Sequence, residues 1–251
     1  MLVLLAPSKT MTMDGVLPSG LTATTPLFMS HTKQIVEAVR GQDMVSLMGI
    51  SDALARSVKK VYEEWGSSTA PAIYAYHGDV YRWFFAETLS KEDLRWAQDH
   101  LLILSGLYGV VRPLDAISPY RLEMKAKLEV GSHKDLYEFW DTILSKTADA
   151  LNDSIVCNLS SDEYARVITR YTKKRVVTPV FLDNKTNGTV GTVPIYSKMM
   201  RGVMARWIID NRIEDPRELR DFISQGYRYD EARSTENEPV FYREVPKPIR
   251  F

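Results

Sequence analysis

Residues Leu104–Met124 read LSGLYGVVRPLDAISPYRLEM. They follow the apolar run Leu101-Leu102-Ile103-Leu104, which is too short for a membrane span and has the length of a buried strand. Gly106 and Gly109 open backbone conformations closed to other residues, while Pro113 and Pro119 fix φ and push Arg112 and Ser118 towards extended shapes. The stretch therefore reads as neither helix nor strand but as a shaped loop at a strand end, presenting Tyr108, Arg112, Asp115, Tyr120, Arg121 and Glu123. Polar and aromatic side chains held this way are where function concentrates. Two readings stay open. In one, the arginines pair with Asp115 and Glu123 as a structural network. In the other, neighbouring Tyr and Arg offer stacking faces and forked donors to a phosphate or base.

N-terminal to this loop, Leu2–Leu5 reads as a first strand and not as a signal peptide, since no basic region precedes it. It runs into Ala6-Pro7-Ser8-Lys9-Thr10. Neighbours on extended chain point apart, so a Ser8–Lys9 nucleophile pair is disfavoured and Lys9 reads as a point charge for an anion. A helix is expected from Ser30 to Gly41. Met44–Ala55 then has the letters of a short helix, a hydrophobic–Gly49–hydrophobic turn and a second helix capped by Ser51 or Asp52. Such a hairpin can hold DNA phosphates on its turn and helix N-terminus without reading sequence, and an ordinary helix pair has the same letters. Ala72–Tyr76 reads as a strand. Asp79 at its exit reads first as the cap of a helical run Val80–Glu87, with acid or metal ligand as the other options. Ser90–His100 is a capped amphipathic helix leading to the central strand.

C-terminal to the loop, Lys134–Leu151 has helical periodicity and Ile155–Asn158 is strand-like. Asp162 and Glu163 follow in a first helical turn, where acids complement the dipole; acid–base chemistry is the other reading. Arg175–Asp183 and Thr189–Tyr196 are expected as two strands around an Asn187-Gly188 hairpin turn. Ser197 is expected to cap a helix on which Lys198, Arg201 and, less closely, Arg206 share one side, either as a solvated face or, favoured by the local excess of cations, as a phosphate track. A short helix over Pro216–Ile223 and a closing hairpin from Gln225–Asp230 and Val240–Tyr242, ended by Pro246 and Pro248, complete the chain.

The 251 residues, 45% hydrophobic, suffice for a sizeable core. With 32 basic and 32 acidic residues the net charge is zero, which argues against a generic polyanion binder. The balance is uneven, however: from Ser160 to Arg212 ten Lys/Arg stand against four acids. The single cysteine, Cys157, excludes an internal disulfide and reads as an inert core thiol in a reducing compartment. His31, His77, His100 and His133 are scattered without zinc-ligand spacing, and no phosphate-loop, dinucleotide or serine-hydrolase motif occurs. No metal site and no cofactor are therefore expected.

Taken in order, the loop motifs SGLYGVVRPLD and PYRLEM, with APSKT (Ala6–Thr10), HGDVY (His77–Tyr81), DLYEFW (Asp135–Trp140), NLSSDEY (Asn158–Tyr164), PVFLD (Pro179–Asp183), RGVMARWIIDNR (Arg201–Arg212) and GYRYDE (Gly226–Glu231), closely resemble the YaaA family of bacterial peroxide-stress proteins. The resemblance runs almost end to end. It strengthens the reading of the hairpin, which has been described for that fold, and implies protection under peroxide stress through less iron-driven DNA damage.

The combined expectation is an α+β fold over 1–251: a single globular unit with a mixed β-sheet, flanking helices, an inserted helix-hairpin-helix-like element over 30–65 and a basic cleft. Its expected function is contact with double-stranded or distorted DNA, mainly through phosphates, by a cytoplasmic monomer that does not touch membranes. The DNA-contacting candidates are Lys9, Gly49, Ser51, Arg112, Tyr120, Arg121, Lys198, Arg201 and Arg206, with Tyr108 or Tyr120 available to stack on an unpaired base. The alternative is an enzyme acting on a nucleic-acid base or a small phosphorylated substrate, with Asp79, Asp115 or Glu123 as acid or base. A strongly raised carboxylate pKa in a closed pocket would mark that alternative, and an exposed apolar patch would mark a protein-interaction module.

Overall fold

Four consecutive buried residues, Leu2–Leu5, form β1, the centre of the computed structural model, which describes residues 1–185 and 188–244. A long connection leads to α1 (Met29–Arg40), α2 (Met44–Met48) and α3 (Asp52–Glu63). The short elements β2 (Ala70–Pro71), α4 (Ala72–Ala75) and α5 (Asp79–Arg82) come next. Then α6 (Lys91–His100) delivers the chain to β3 (Leu101–Ser105), β4 (Gly109–Val111) and β5 (Ala116–Ile117). The second half contains α7 (Leu136–Trp140), α8 (Ile143–Ala150), β6 (Ile155–Leu159), α9 (Asp162–Thr169), β7 (Arg175–Val177), β8 (Val180–Asn184), β9 (Val190–Gly191), α10 (Pro194–Asn211), β10 (Arg228–Tyr229) and β11 (Val240–Arg243).

The main sheet has the order β4-β3-β1-β6-β7. β1 runs parallel to β3 and β6, with Leu4 opposite Leu102 on one side and Asn158 on the other. Both its edges and both its faces are thus taken, which is why it is apolar throughout. From β1 the chain proceeds to β3 on one side and later to β6 on the other. The connections diverge at that switch and leave a crevice at the strands' carboxyl ends. A second sheet, β10-β11-β8-β9, mixes parallel and antiparallel pairs, and β2 pairs with β5 alone. α10 packs on α5, α6, β1, β6 and β8, joining the two larger sheets. One contiguous hydrophobic core runs from Met1 to Phe241. The fold is therefore α+β, a single globular unit of mixed sheets and flanking helices.

Several local expectations need correction. The Leu104–Met124 stretch is not wholly irregular: a turn at Gly106–Tyr108 folds β4 back antiparallel onto β3, and β5 pairs with β2. Ala72–Tyr76 is helical as far as Ala75, because the loop supplies acceptors for its first amides: Ala72 N–H donates to Asp115 O and Ile73 N–H to Pro113 O. The run after Asp79 stops at Arg82, since Phe85 turns left-handed at φ 52°. Asp79 is the first helical residue there, with Gly78 in the cap position. Lys134–Leu151 is broken by Asp141 at φ 30°. Arg175–Asp183 is two strands in two sheets, divided at Pro179, which has no N–H for either ladder. Thr189–Tyr196 yields only β9, because Pro194 opens α10; Ser197 is consequently buried inside that helix and does not cap it. Pro216–Ile223 is a 3₁₀ turn over Pro216–Asp221. β8 and β9 do pair antiparallel, but Thr186 and Asn187 of the expected turn lie outside the described residues, as do Pro246 and Pro248. The closing pair is present as β10 with β11, and Cys157 is fully buried with its thiol pushed up to about 12 by desolvation.

Candidate functional site

At the carboxyl ends of β1 and β6 lies a cleft of about 550 Å³. Its wall is assembled from five places in the chain. The exit of β1 brings Ser8 and Lys9. The turn into α5 brings His77, Gly78, Asp79 and Arg82. The central loop brings Tyr120, Arg121, Glu123 and Lys125. The start of α9 contributes Ser161, Glu163 and Tyr164, and α10 adds Lys198 and Arg201. Close packing fixes these pieces. Ser8 Oγ donates to His77 O at 2.9 Å, and a Cβ on Gly78 would fall 2.4 Å from Ser8 Oγ, so a side chain there would displace the serine from this contact. Tyr81 Oη donates to Ala6 O at 2.8 Å, tying α5 to the end of β1. Gly202 plays the matching part on α10: a Cβ there would lie 2.0 Å from Val80 O.

The charges are not neutralised in place. Six cations face three carboxylates, Asp79, Glu123 and Glu163. Lys9 Nζ pairs with Glu123, and Lys125 Nζ lies 3.4 Å from Glu123 and 3.7 Å from Glu163. Burial alone would raise the Glu123 carboxyl, but the Lys9 hydrogen bond and the charges of Lys9 and Lys125 outweigh it and hold it below the ordinary 4.5. Arg82 Nε reaches His77 Nε2 at 3.4 Å. The side chains of Arg121, Lys198, Arg201 and Asp79 make no hydrogen bond or ion pair among the described residues. Arg201 is half-buried, and desolvation lowers its pKa below the ordinary guanidinium value.

Of the residues singled out in the sequence, Lys9, Asp79, Tyr120, Arg121, Glu123, Lys198 and Arg201 line this cleft. Arg112 and Asp115 do not. Asp115 is fully buried; it accepts from Arg112 N at 2.8 Å, Arg112 Nη2 at 3.0 Å and Thr24 Oγ1 at 2.6 Å, which is the structural-network reading of that pair. Arg206 also points elsewhere, donating to Asp210 Oδ1 at 2.7 Å and Phe85 O at 2.8 Å. Neither Tyr108 nor Tyr120 offers a face for stacking. Both are buried, with Tyr108 Oη accepting from Ser118 N and Tyr120 Oη bonded to Tyr76 Oη at 2.8 Å and Ser105 Oγ at 2.7 Å. Lys125 and Arg82 escaped the sequence reading, because nothing local distinguishes them from solvated cations.

Gly49 and Ser51 sit in the turn between α2 and α3. Gly49 is left-handed at φ 61°, and Ser51 caps α3 by accepting from Leu54 N at 3.5 Å. Both are exposed. Beside this turn a second depression of about 350 Å³ is lined by Ser46, Leu47, Met48, Arg121, Glu123, Lys125, Ala126 and Lys127. Arg121, Glu123 and Lys125 border both depressions. Helix pair and cleft are therefore adjoining parts of one surface. Among the described residues no helix is long and apolar enough to cross a membrane, and no three His, Cys, Asp or Glu gather as a metal-holding group.

Comparison with known proteins finds similarity over nearly the whole chain. The family model described as "Peroxide stress protein YaaA" matches residues 1–233. A protein of Paracidovorax citrulli (strain AAC00-1), named "UPF0246 protein", is 41% identical over 259 aligned positions, covering 97% of this chain and 98% of that protein.

Proposed function

The chain belongs to the peroxide stress protein YaaA family, and we propose that it serves the oxidative-stress response implied by that family as a DNA-binding protein. Double-stranded or distorted DNA is held mainly through its phosphates, and iron-dependent oxidative damage to it is limited in consequence. The observation that supports this reading is the continuity of the two depressions: a backbone lying along Ser46–Met48, next to the Gly49–Ser51 turn, passes onto Arg121 and Lys127, which have no ion-pair partner among the described residues, and on to the mouth of the cleft. Exposed helix N-termini and forked or point cations suit phosphate contact without sequence reading. Zero net charge is compatible with this, since the contact surface carries its own local excess of cations. An enzyme in the same cleft has less support. Of its candidate acids, Glu123 is held ionised by two lysines and Asp115 is locked away from the cleft, leaving Asp79.

The test is a titration of plain and bulged duplexes bearing 5′-hydroxyl ends, over a range of salt, with wild type and an Arg121→Ala/Lys127→Ala double variant. Affinity should fall steeply with salt, and the double variant should reduce the log–log slope by about two units. Absence of duplex binding at low salt, or an unchanged slope, would remove this reading.

A further inference from the structure

The inner cleft is built for something smaller than a duplex. Its volume of about 550 Å³ lies within the roughly 300–1,000 Å³ of sites that bury one small ligand. Its cations exceed its carboxylates by three, and Arg121, Lys198 and Arg201 have no hydrogen-bond or ion-pair partner among the described residues. A phosphodiester brings one negative charge to such a place, whereas a phosphate monoester brings about −1.5 to −2 near neutral pH and three strong acceptor oxygens. One carboxylate, Asp79, is also without a side-chain partner among the described residues, amid this positive field. An unpaired acceptor there repels a bare phosphate and favours a ligand that carries a hydroxyl or amine donor alongside its phosphate, as a ribose does for the acids of nucleotide sites at strand ends.

We propose that this cleft is a receptor for a phosphomonoester on a body the size of one nucleotide, with Arg121, Lys198 and Arg201 taking the phosphoryl oxygens and Asp79 accepting from a hydroxyl or amine of the body. The inference rests on reading the cleft as an anion site and names its ligand class. The same chemistry has two sources, a free nucleotide or the 5′-phosphate end of a strand that reaches in from the adjoining groove.

Calorimetric titration of the full chain with adenosine 5′-monophosphate, adenosine and inorganic phosphate tests it. The monophosphate should bind at least about tenfold more tightly than adenosine. Lys198→Ala, at an exposed position that does not threaten the fold, and Arg201→Gln should each weaken it by about tenfold. Asp79→Asn should weaken the monophosphate while leaving inorganic phosphate unchanged or stronger. Competition then separates the sources: displacement by a 5′-phosphorylated short strand but not by its 5′-hydroxyl twin supports the strand end, and displacement by neither supports the free nucleotide. A monophosphate that binds no better than adenosine, or that binds Lys198→Ala and Arg201→Gln as it binds wild type, overturns the proposal. Retained binding of the 5′-hydroxyl duplex in that case leaves the DNA reading standing, while monophosphate binding without duplex binding removes the DNA reading alone.

Discussion

Tyr120 stands between the cleft and the core, and its environment shows what single residues contribute here. Its hydroxyl closes a chain from Tyr76 through Ser105, whose Oγ also accepts from the amides of Leu107 and Tyr108 and so holds the turn that sends β4 back along β3. Around it Tyr62, Tyr76 and Tyr81 are buried, and desolvation first, then the proximity of Tyr120, raises their phenols well above the ordinary 10.0. The sign follows directly. A phenol that stays protonated in the fold while the unfolded chain ionises near 10 lends stability that is whole below that pH and lost as pH rises through the folded value. Alkaline titration followed by phenolate absorbance should therefore show exposed tyrosines ionising smoothly and these buried ones only in step with the loss of circular dichroism. Complete smooth titration while the protein remains folded would contradict the burial. The residue scale is also where sequence reading was least able to assign roles. The prolines and glycines of Leu104–Met124 announce a shaped loop, but which arginine is spent inside depends on partners. Asp115 captures Arg112 three residues away, and no described residue captures Arg121.

At the scale of elements, the site depends on α5 and α10 lying in contact. Gly202 is the reason they can: its missing side chain leaves room for the Val80 carbonyl, and Arg206 fastens the same helix to the Phe85 turn. Gly202→Ala should lower stability by about 1–3 kcal/mol, as overpacking does, with a matching fall in the urea midpoint; an unchanged midpoint would show that the helices do not meet as described. The row of cations on α10 illustrates why helical arithmetic is not enough. Arg206 is rotated about 140° from Arg201 at 3.6 residues per turn, so only Lys198 and Arg201 reach the cleft. Strands with continuous buried apolar runs, β1 and β3, were legible because burial on both faces leaves no alternative pattern. Ala72–Tyr76 was not, because its helical turn is stabilised by carbonyls of a loop about forty residues away in sequence.

At the scale of the molecule, the position of the site follows from topology. The chain crosses from one side of β1 to the other, and the residues gathered at that switch come from the two ends and the middle of the sequence, from Ser8 to Arg201. No local motif could have shown Lys125 or Arg82 joining Lys9 there, since their meeting is a property of strand order. Net charge was equally uninformative: neutrality overall coexists with a cleft whose cations outnumber its acids two to one. What the whole fold adds is that this cleft shares Arg121, Glu123 and Lys125 with the depression lined by Ser46–Met48, next to the turn at Gly49. The most direct test of that shared surface is amide hydrogen exchange of the full chain with and without a 5′-hydroxyl bulged duplex. The expected result is protection of the Gly49–Ser51 turn and of Arg121–Lys127 together. Protection at one without the other, or only on the face bearing α8, would contradict a single phosphate-binding surface.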